Sequence, residues 1–161
     1  MIEIKLTVNK VSVYDEVAKT TSYTGAKMQD DEKAYERIFT TDDDRMMLER
    51  FWNEASNAAT EQFKPFLISV SGHSDGRAVD LEKNYEVELG LSNSFDAALK
   101  DSIETSLWSF FVSYITSRWF KIANKKEAGE YGDDADGMLD DVMRKIYYKK
   151  KPQRVKPNSN H

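Results

Sequence analysis

Residues 94–126 read SFDAALKDSIETSLWSFFVSYITSRWFKIANKK, and this stretch decides the fold. Phe95, Leu99, Ile103, Leu107, Phe110 and Tyr114 recur at spacings of three and four, which makes one apolar row of a helix. Trp108, Phe111, Val112, Ile115 and Trp119 make a second row, so the middle of the helix is apolar nearly all round. Ser94 offers a side-chain oxygen to cap its first turn. Run unbroken from Phe95 to about Lys126, it would be about 48 Å long at 1.5 Å per residue. A helix of this kind is either covered on most sides by its own chain or shows a face to a second subunit. Trp108, Phe111 and Trp119 are the side chains expected at such a subunit interface.

Working outward, Ile2, Ile4, Leu6 and Val8 alternate with Glu3, Lys5 and Thr7, the period-two pattern of a half-buried strand. Val13, Val17 and Ala18 place a helix over about Ser12–Lys27, with Gly25 as its expected stop; Ala34–Phe39 reads as a short ordered segment. Thr41-Asp42-Asp43-Asp44 has the layout of a capping box, and three carboxylates in a first turn suit the helix dipole. The helix that follows carries Met47 or Leu48, then Phe51, Trp52, Ala55, Ala59 and Phe63 on one stripe and stops near Pro65. Leu67–Ser71 and Tyr85–Leu91 read as a strand pair around a polar loop. After the stretch from Gly129 to Gly137, a final helix is expected from about Ala135 to Tyr148, with Leu139, Val142 and Ile146 facing inward. The expected fold is α+β, mostly α: a bundle of about four helices, a small antiparallel sheet of about three strands, and an extended C-terminal arm. A single α-rich domain over 1–148 and a basic arm over 149–161 follow from this.

Charge is distributed unevenly along the chain. Seven of the 23 lysines and arginines lie after Asp141 and none of the 28 acids does, so residues 1–141 sum to −12 and the tail to +7. A body of that sign is not expected to grip nucleic acid, whereas the tail reads either as an arm that meets a surface of opposite charge or as a solvated terminus whose bases complement the helix dipole. Tyr147, Tyr148, Lys149, Lys150, Lys151, Pro152 and Arg154 are the candidate partner-binding residues, because aromatic anchors beside bases suit a pocket better than open solvent. The absence of cysteine excludes disulfides and thiolate metal sites. The opening MIEIKLTVNK lacks the apolar core of a signal peptide, and no run of about 18 apolar residues is present, so folding in a reducing cytoplasm is expected.

Little else points to chemistry. Asp42–Asp44 are explained by capping, and Asp133, Asp134 and Asp136 lack the spacing of a calcium loop, so no metal site is expected. His73 and Asp75 are neighbours in one loop, whereas a catalytic relay draws its members from different elements. No phosphate-binding loop, dinucleotide fingerprint or nucleophile elbow occurs. A non-enzyme without a cofactor is the expectation.

Two passages, DEVAKTTSYTGAKM…YERIFTTDDDRMMLERFWNEA and the closing LDDVMRKIYYKKKPQR, resemble small virion proteins of tailed phages and prophages from Bacteroides-type hosts. A final helix followed by tyrosines, a lysine run, Pro152, Arg154 and an extended tail is similar to head–tail connector (adaptor) subunits of the neck. That resemblance implies a structural virion protein in a ring, usually twelve-fold, between portal and tail. Its partners would be the portal and other neck or tail subunits, with DNA passing through the lumen unbound and no membrane involved. Such a protein is made in the bacterial cytoplasm and ends in the virion. The strand at 2–8 and the hairpin at 67–91 depart from an all-helical adaptor, leaving stopper and tail-completion roles open. The alternative from the tail alone is a monomeric regulatory or nucleic-acid-binding module.

Overall fold

The computed structural model describes residues 1–21, 34–73, 78–123 and 125–152. It is an α+β fold, mostly helical. The elements in order are strand β1 (Ile2–Val8), helices α1 (Lys10–Thr21), α2 (Ala34–Ile38) and α3 (Asp42–Phe63), strands β2 (Leu67–Ser71) and β3 (Tyr85–Leu91), and helices α4 (Lys100–Ala123) and α5 (Lys125–Tyr147). Short 3-10 turns at Lys64–Phe66 and Ala97–Leu99 precede β2 and α4. The stop at Gly25 lies outside the described residues.

The three strands are antiparallel in the order β1–β3–β2. Ile4, Leu6 and Val8 on β1 sit opposite Leu89, Val87 and Tyr85 on β3, and all six are buried. The intervening Glu3, Lys5 and Thr7 leave the other sheet face to solvent, as the alternation requires. Gly72, just after β2, adopts φ 103°, and a Cβ there would lie 2.2 Å from the Asn84 carbonyl oxygen. Only glycine serves at that close approach in a left-handed conformation.

Helix α3 begins as its sequence predicts. The Thr41 hydroxyl accepts from the Asp44 N–H at 3.1 Å, and Asp42, Asp43 and Asp44 occupy the first turn. Its stripe of Leu48, Phe51, Trp52, Ala55, Ala59 and Phe63 is buried. Each large side chain withdrawn from water in this way contributes about 1.5–3 kcal/mol.

Helix α4 is the axis of the molecule. It packs on α5, α1, α3 and β1, and Ile103, Leu107, Phe110, Phe111 and Ile115 are all buried. These five side chains are therefore consumed by the core, whereas Trp108, Val112 and Trp119 are only partly buried and Ile122 is exposed. Two expected boundaries are corrected. The helix starts after Phe95, because Asp96, and not Ser94, receives the capping Ala98 N–H at 3.1 Å; the α-helical segment itself begins at Lys100. The glycine-rich stretch is not a loop either: α5 runs straight through Gly129, Gly132 and Gly137. Helix propensity is overridden there by packing along α4. The Ser117 hydroxyl donates to the Ala128 carbonyl at 2.8 Å, and Phe120 stacks on Tyr131 at 5.5 Å. At the far end Ser106 donates to Asp141, so the two helices form a tight antiparallel hairpin.

Candidate docking interface

The C-terminal end of α5 and the start of the arm form the most chemically distinctive surface. Val142 and Ile146 are buried against the core, which turns Arg144, Tyr147 and Tyr148 outward. Tyr147 is 59% exposed and Tyr148 50%. Tyr147 nevertheless has a fixed direction, since its ring meets Phe66 edge-on at 5.2 Å. The chain does not swing free after the helix. Lys149 pairs with Phe95 in an isolated antiparallel bridge, and the Lys150 N–H donates to the Ser94 carbonyl at 2.7 Å. The arm therefore leaves the body at Lys151 and Pro152, both exposed, two residues beyond the expected boundary at 148. Of the seven candidate partner-binding residues, Tyr147 through Pro152 lie together on this surface. Arg154 lies outside the described residues.

The foot of the arm is anchored by charge. Lys145 Nζ lies 2.6 Å from Asp141 Oδ2 and donates to the hydroxyls of Ser102 and Ser106. The hydrogen bond from Lys145 holds the Asp141 carboxyl below its usual range, against a smaller upward push from burial, with Ser106 adding to the fall. This group is partly solvated, so the pair serves to position the helix end more than to stabilise it.

The expected subunit-interface residues separate. Phe111 is fully buried, 4.7 Å from the Trp52 ring and 5.2 Å from Tyr85, so it is core and unavailable to a second subunit. This corrects the expectation for Phe111, whose side of α4 is spent on Trp52 and Tyr85. Trp108 and Trp119 are partly buried against the same core. Trp108 Nε1 donates to Ser12 Oγ at 2.9 Å, and Trp119 meets Phe39 edge-on at 4.8 Å.

A second polar constellation lies inside the fold and was not anticipated. Lys10 and Glu49 are both fully buried, with Lys10 Nζ 3.1 Å from Glu49 Oε2. The same ammonium donates to the Asp80 carbonyl at 3.1 Å and sits 5.2 Å from the centre of the Trp52 ring. The Tyr14 hydroxyl donates to the other Glu49 oxygen at 2.5 Å. Burial first, then the neighbouring Glu49, pushes the Tyr14 hydroxyl well above the usual tyrosine range. A sequence signal did exist. Lys10 shares a helix face with Val13, Tyr14 and Val17, and Glu49 shares one with Trp52, so each apolar stripe carries one charge of opposite sign.

Elsewhere, a groove of about 670 Å³ between the C-terminal half of α4 and the N-terminal half of α5 is lined by Tyr114, Arg118, Lys121, Gly132, Asp133 and Asp136. Asp133, Asp134 and Asp136 stand on the helix and not in a loop. No group of three metal-ligating side chains occurs among the described residues. His73 is exposed, and Asp75 lies outside the described residues. No described helix is long and apolar enough to cross a membrane. No family model, curated protein or solved structure matches this chain.

Proposed function

We propose that this protein is a structural subunit of the tailed-phage neck, a head–tail connector (adaptor) that joins a ring between portal and tail and docks through its C-terminal arm. The observation that carries this reading is the end of α5, where two half-exposed tyrosines precede three exposed lysines on a body summing to −12. Such a combination of aromatic anchors and exposed positive charge favours an acidic protein groove. The acidic body fits a lumen that DNA traverses without sticking, since phosphate binding needs clustered cations. Trp108 and Trp119, still partly exposed, are the side chains left to contribute to contacts within a ring.

The test is assembly. The full chain is expected to form closed rings in negative stain and by light scattering, or to assemble when the portal is supplied. Deleting the chain from Lys149 is expected to abolish attachment to neighbouring neck proteins. Normal incorporation of the truncated protein into particles would refute the docking role. The basic tail also supports a nucleic-acid-binding module as a second reading. That reading requires salt-dependent binding of duplex DNA that disappears when Lys149, Lys150 and Lys151 become glutamate.

A further inference from the structure

Strand β2 lies at the edge of the sheet, so one row of its backbone N–H and C=O groups points away from β3. Among the described residues no other strand or loop pairs with that row. The opposite edge strand, β1, carries Glu3 and Lys5, charges of the sort that discourage a further strand. β2 reads Leu-Ile-Ser-Val-Ser and has neither charge nor proline. Its Ile68 is 47% exposed and its Val70 44%.

The apolar surface extends beyond the strand. Ile68 lies at the irregularity between Leu67 and Ser69 and approaches Gly90 together with Met1. Two residues earlier, Phe66 carries the surface across to Tyr147. Met1, Ile68, Tyr147 and Tyr148, all large and at least 47% exposed, thus gather at one end of the sheet. The charges there are unbalanced. Lys64 is paired with Glu61, and Glu86 with Lys5. That leaves Glu3, opposite Gly90, and Glu88, opposite Ser69, against Arg144, Lys149, Lys150 and Lys151.

We propose that the open edge of β2 accepts an extended acidic segment of a different protein as a fourth strand, with the cations at the foot of the arm pairing its carboxylates. Strand addition would satisfy the idle backbone row, with one set of alternate side chains of the incoming segment covering Ile68 on the outer face and the other meeting Val70 on the face of Val87. A second copy of this chain is the wrong partner. Two β2 edges meeting across a two-fold axis would bring the same cations towards each other. Neither the edge nor these charges depends on assembly in a phage neck, so the two readings fail separately.

The experiment uses the full chain and a blocked peptide of alternating valine and glutamate, about ten residues long, with amide exchange followed residue by residue by NMR. Saturating peptide is expected to slow exchange of the outward β2 amides about tenfold or more, while a valine–lysine peptide leaves them unchanged. The variant Ile68→Glu is expected to bind the acidic peptide about tenfold or more weakly, because it places a like charge on the edge, with melting unaltered because Ile68 is a half-exposed edge position. Absence of binding, binding that leaves the β2 amides untouched, or an equal response to the lysine peptide would overturn the proposal. So would protection of β2 by duplex DNA, or protection that grows with protein concentration alone.

Discussion

Replacing Lys10 with methionine tests whether the internal ion pair is what holds α1, α3 and the segment around Asp80 together. Methionine retains most of the volume and removes the cation. The Glu49 carboxylate, fully buried, is then left with the Tyr14 hydroxyl at 2.5 Å as its remaining hydrogen-bond partner. Removing one member of a buried pair costs about 3–5 kcal/mol, because the other charge stays desolvated and unpaired. Domains of this kind have only about 5–15 kcal/mol in total. At about 2–4 °C per kcal/mol for a chain of this size, the melting temperature should fall by about 6–20 °C. The triple variant Lys10→Met/Tyr14→Phe/Glu49→Leu removes every buried charge along with the Tyr14 hydroxyl, and should recover to within about 2 kcal/mol of the parent. Urea unfolding of the three proteins at low and high salt is the assay, since a pair this deep is little screened. A loss below about 1 kcal/mol in Lys10→Met would mean water reaches the site. A triple variant as unstable as the single one would place the cost in packing and not in charge.

The caps, glycines and buried tyrosines give further outcomes. Thr41→Ala should cost about 1 kcal/mol in urea unfolding and Thr41→Ser much less, because the hydroxyl caps the Asp44 N–H; equal effects would remove the cap from the account. Gly137→Ala should stabilise by about 0.5–1 kcal/mol, since an added Cβ meets nothing within 4 Å inside a helix. Gly72→Ala should destabilise by more than about 1 kcal/mol, given its positive φ and the Asn84 carbonyl in the way; the opposite ranking in thermal melts would contradict both assignments. Burial pushes the Tyr85 hydroxyl up to about 12. The folded protein therefore keeps a proton that the unfolded chain releases above about pH 10, so this contribution is complete below pH 10 and declines as pH rises towards 12. Tyr85 alone should account for a loss of about 2–3 kcal/mol over that window, with Tyr14 adding in the same direction; unfolding free energies that stay flat from pH 9 to 12 would disprove the burial argument.

The parts of this fold that were legible in the sequence are those with a clean period. The alternation of Ile2–Val8 and Tyr85–Leu91 and the stripe from Leu48 to Phe63 each specify one buried face, and each is found as read. Two kinds of feature were not legible. Gly129, Gly132 and Gly137 argue locally against a helix, yet the long apolar wall of α4 lends enough burial through Ala128, Ala135 and Val142 to carry the helix through them. The buried Lys10–Glu49 pair joins residues 39 apart in sequence, so each charge shows on its own apolar stripe but their pairing is visible only in the folded chain. At the candidate interface, composition identified the tyrosines and lysines. It could not reveal that Phe111, on the same helix and with the same apolar character as Trp108 and Trp119, is spent entirely on Trp52 and Tyr85.

The root of the arm is held in a fixed direction, as the proposed docking role requires. Over ten residues the chain is tied to the body in three independent ways. Asp141 and Lys145 clasp Ser102 and Ser106, Tyr147 leans on Phe66, and Lys149–Lys150 pair with Ser94–Phe95. These ties draw on α4, the turn before β2 and the segment before α4, so the arm's starting direction is set by the whole core. A lysine on a loose tail loses much of its conformational freedom when it docks, at about 0.5–1.5 kcal/mol per side chain immobilised. The separate cost of ordering the backbone has already been met here by folding, for Lys149 and Lys150 at least. The same ties set Tyr147 against Phe66, the residue before β2, so the foot of the arm lies at the end of the sheet where the proposed strand addition would begin. A tail selected only for solubility would need none of these tethers.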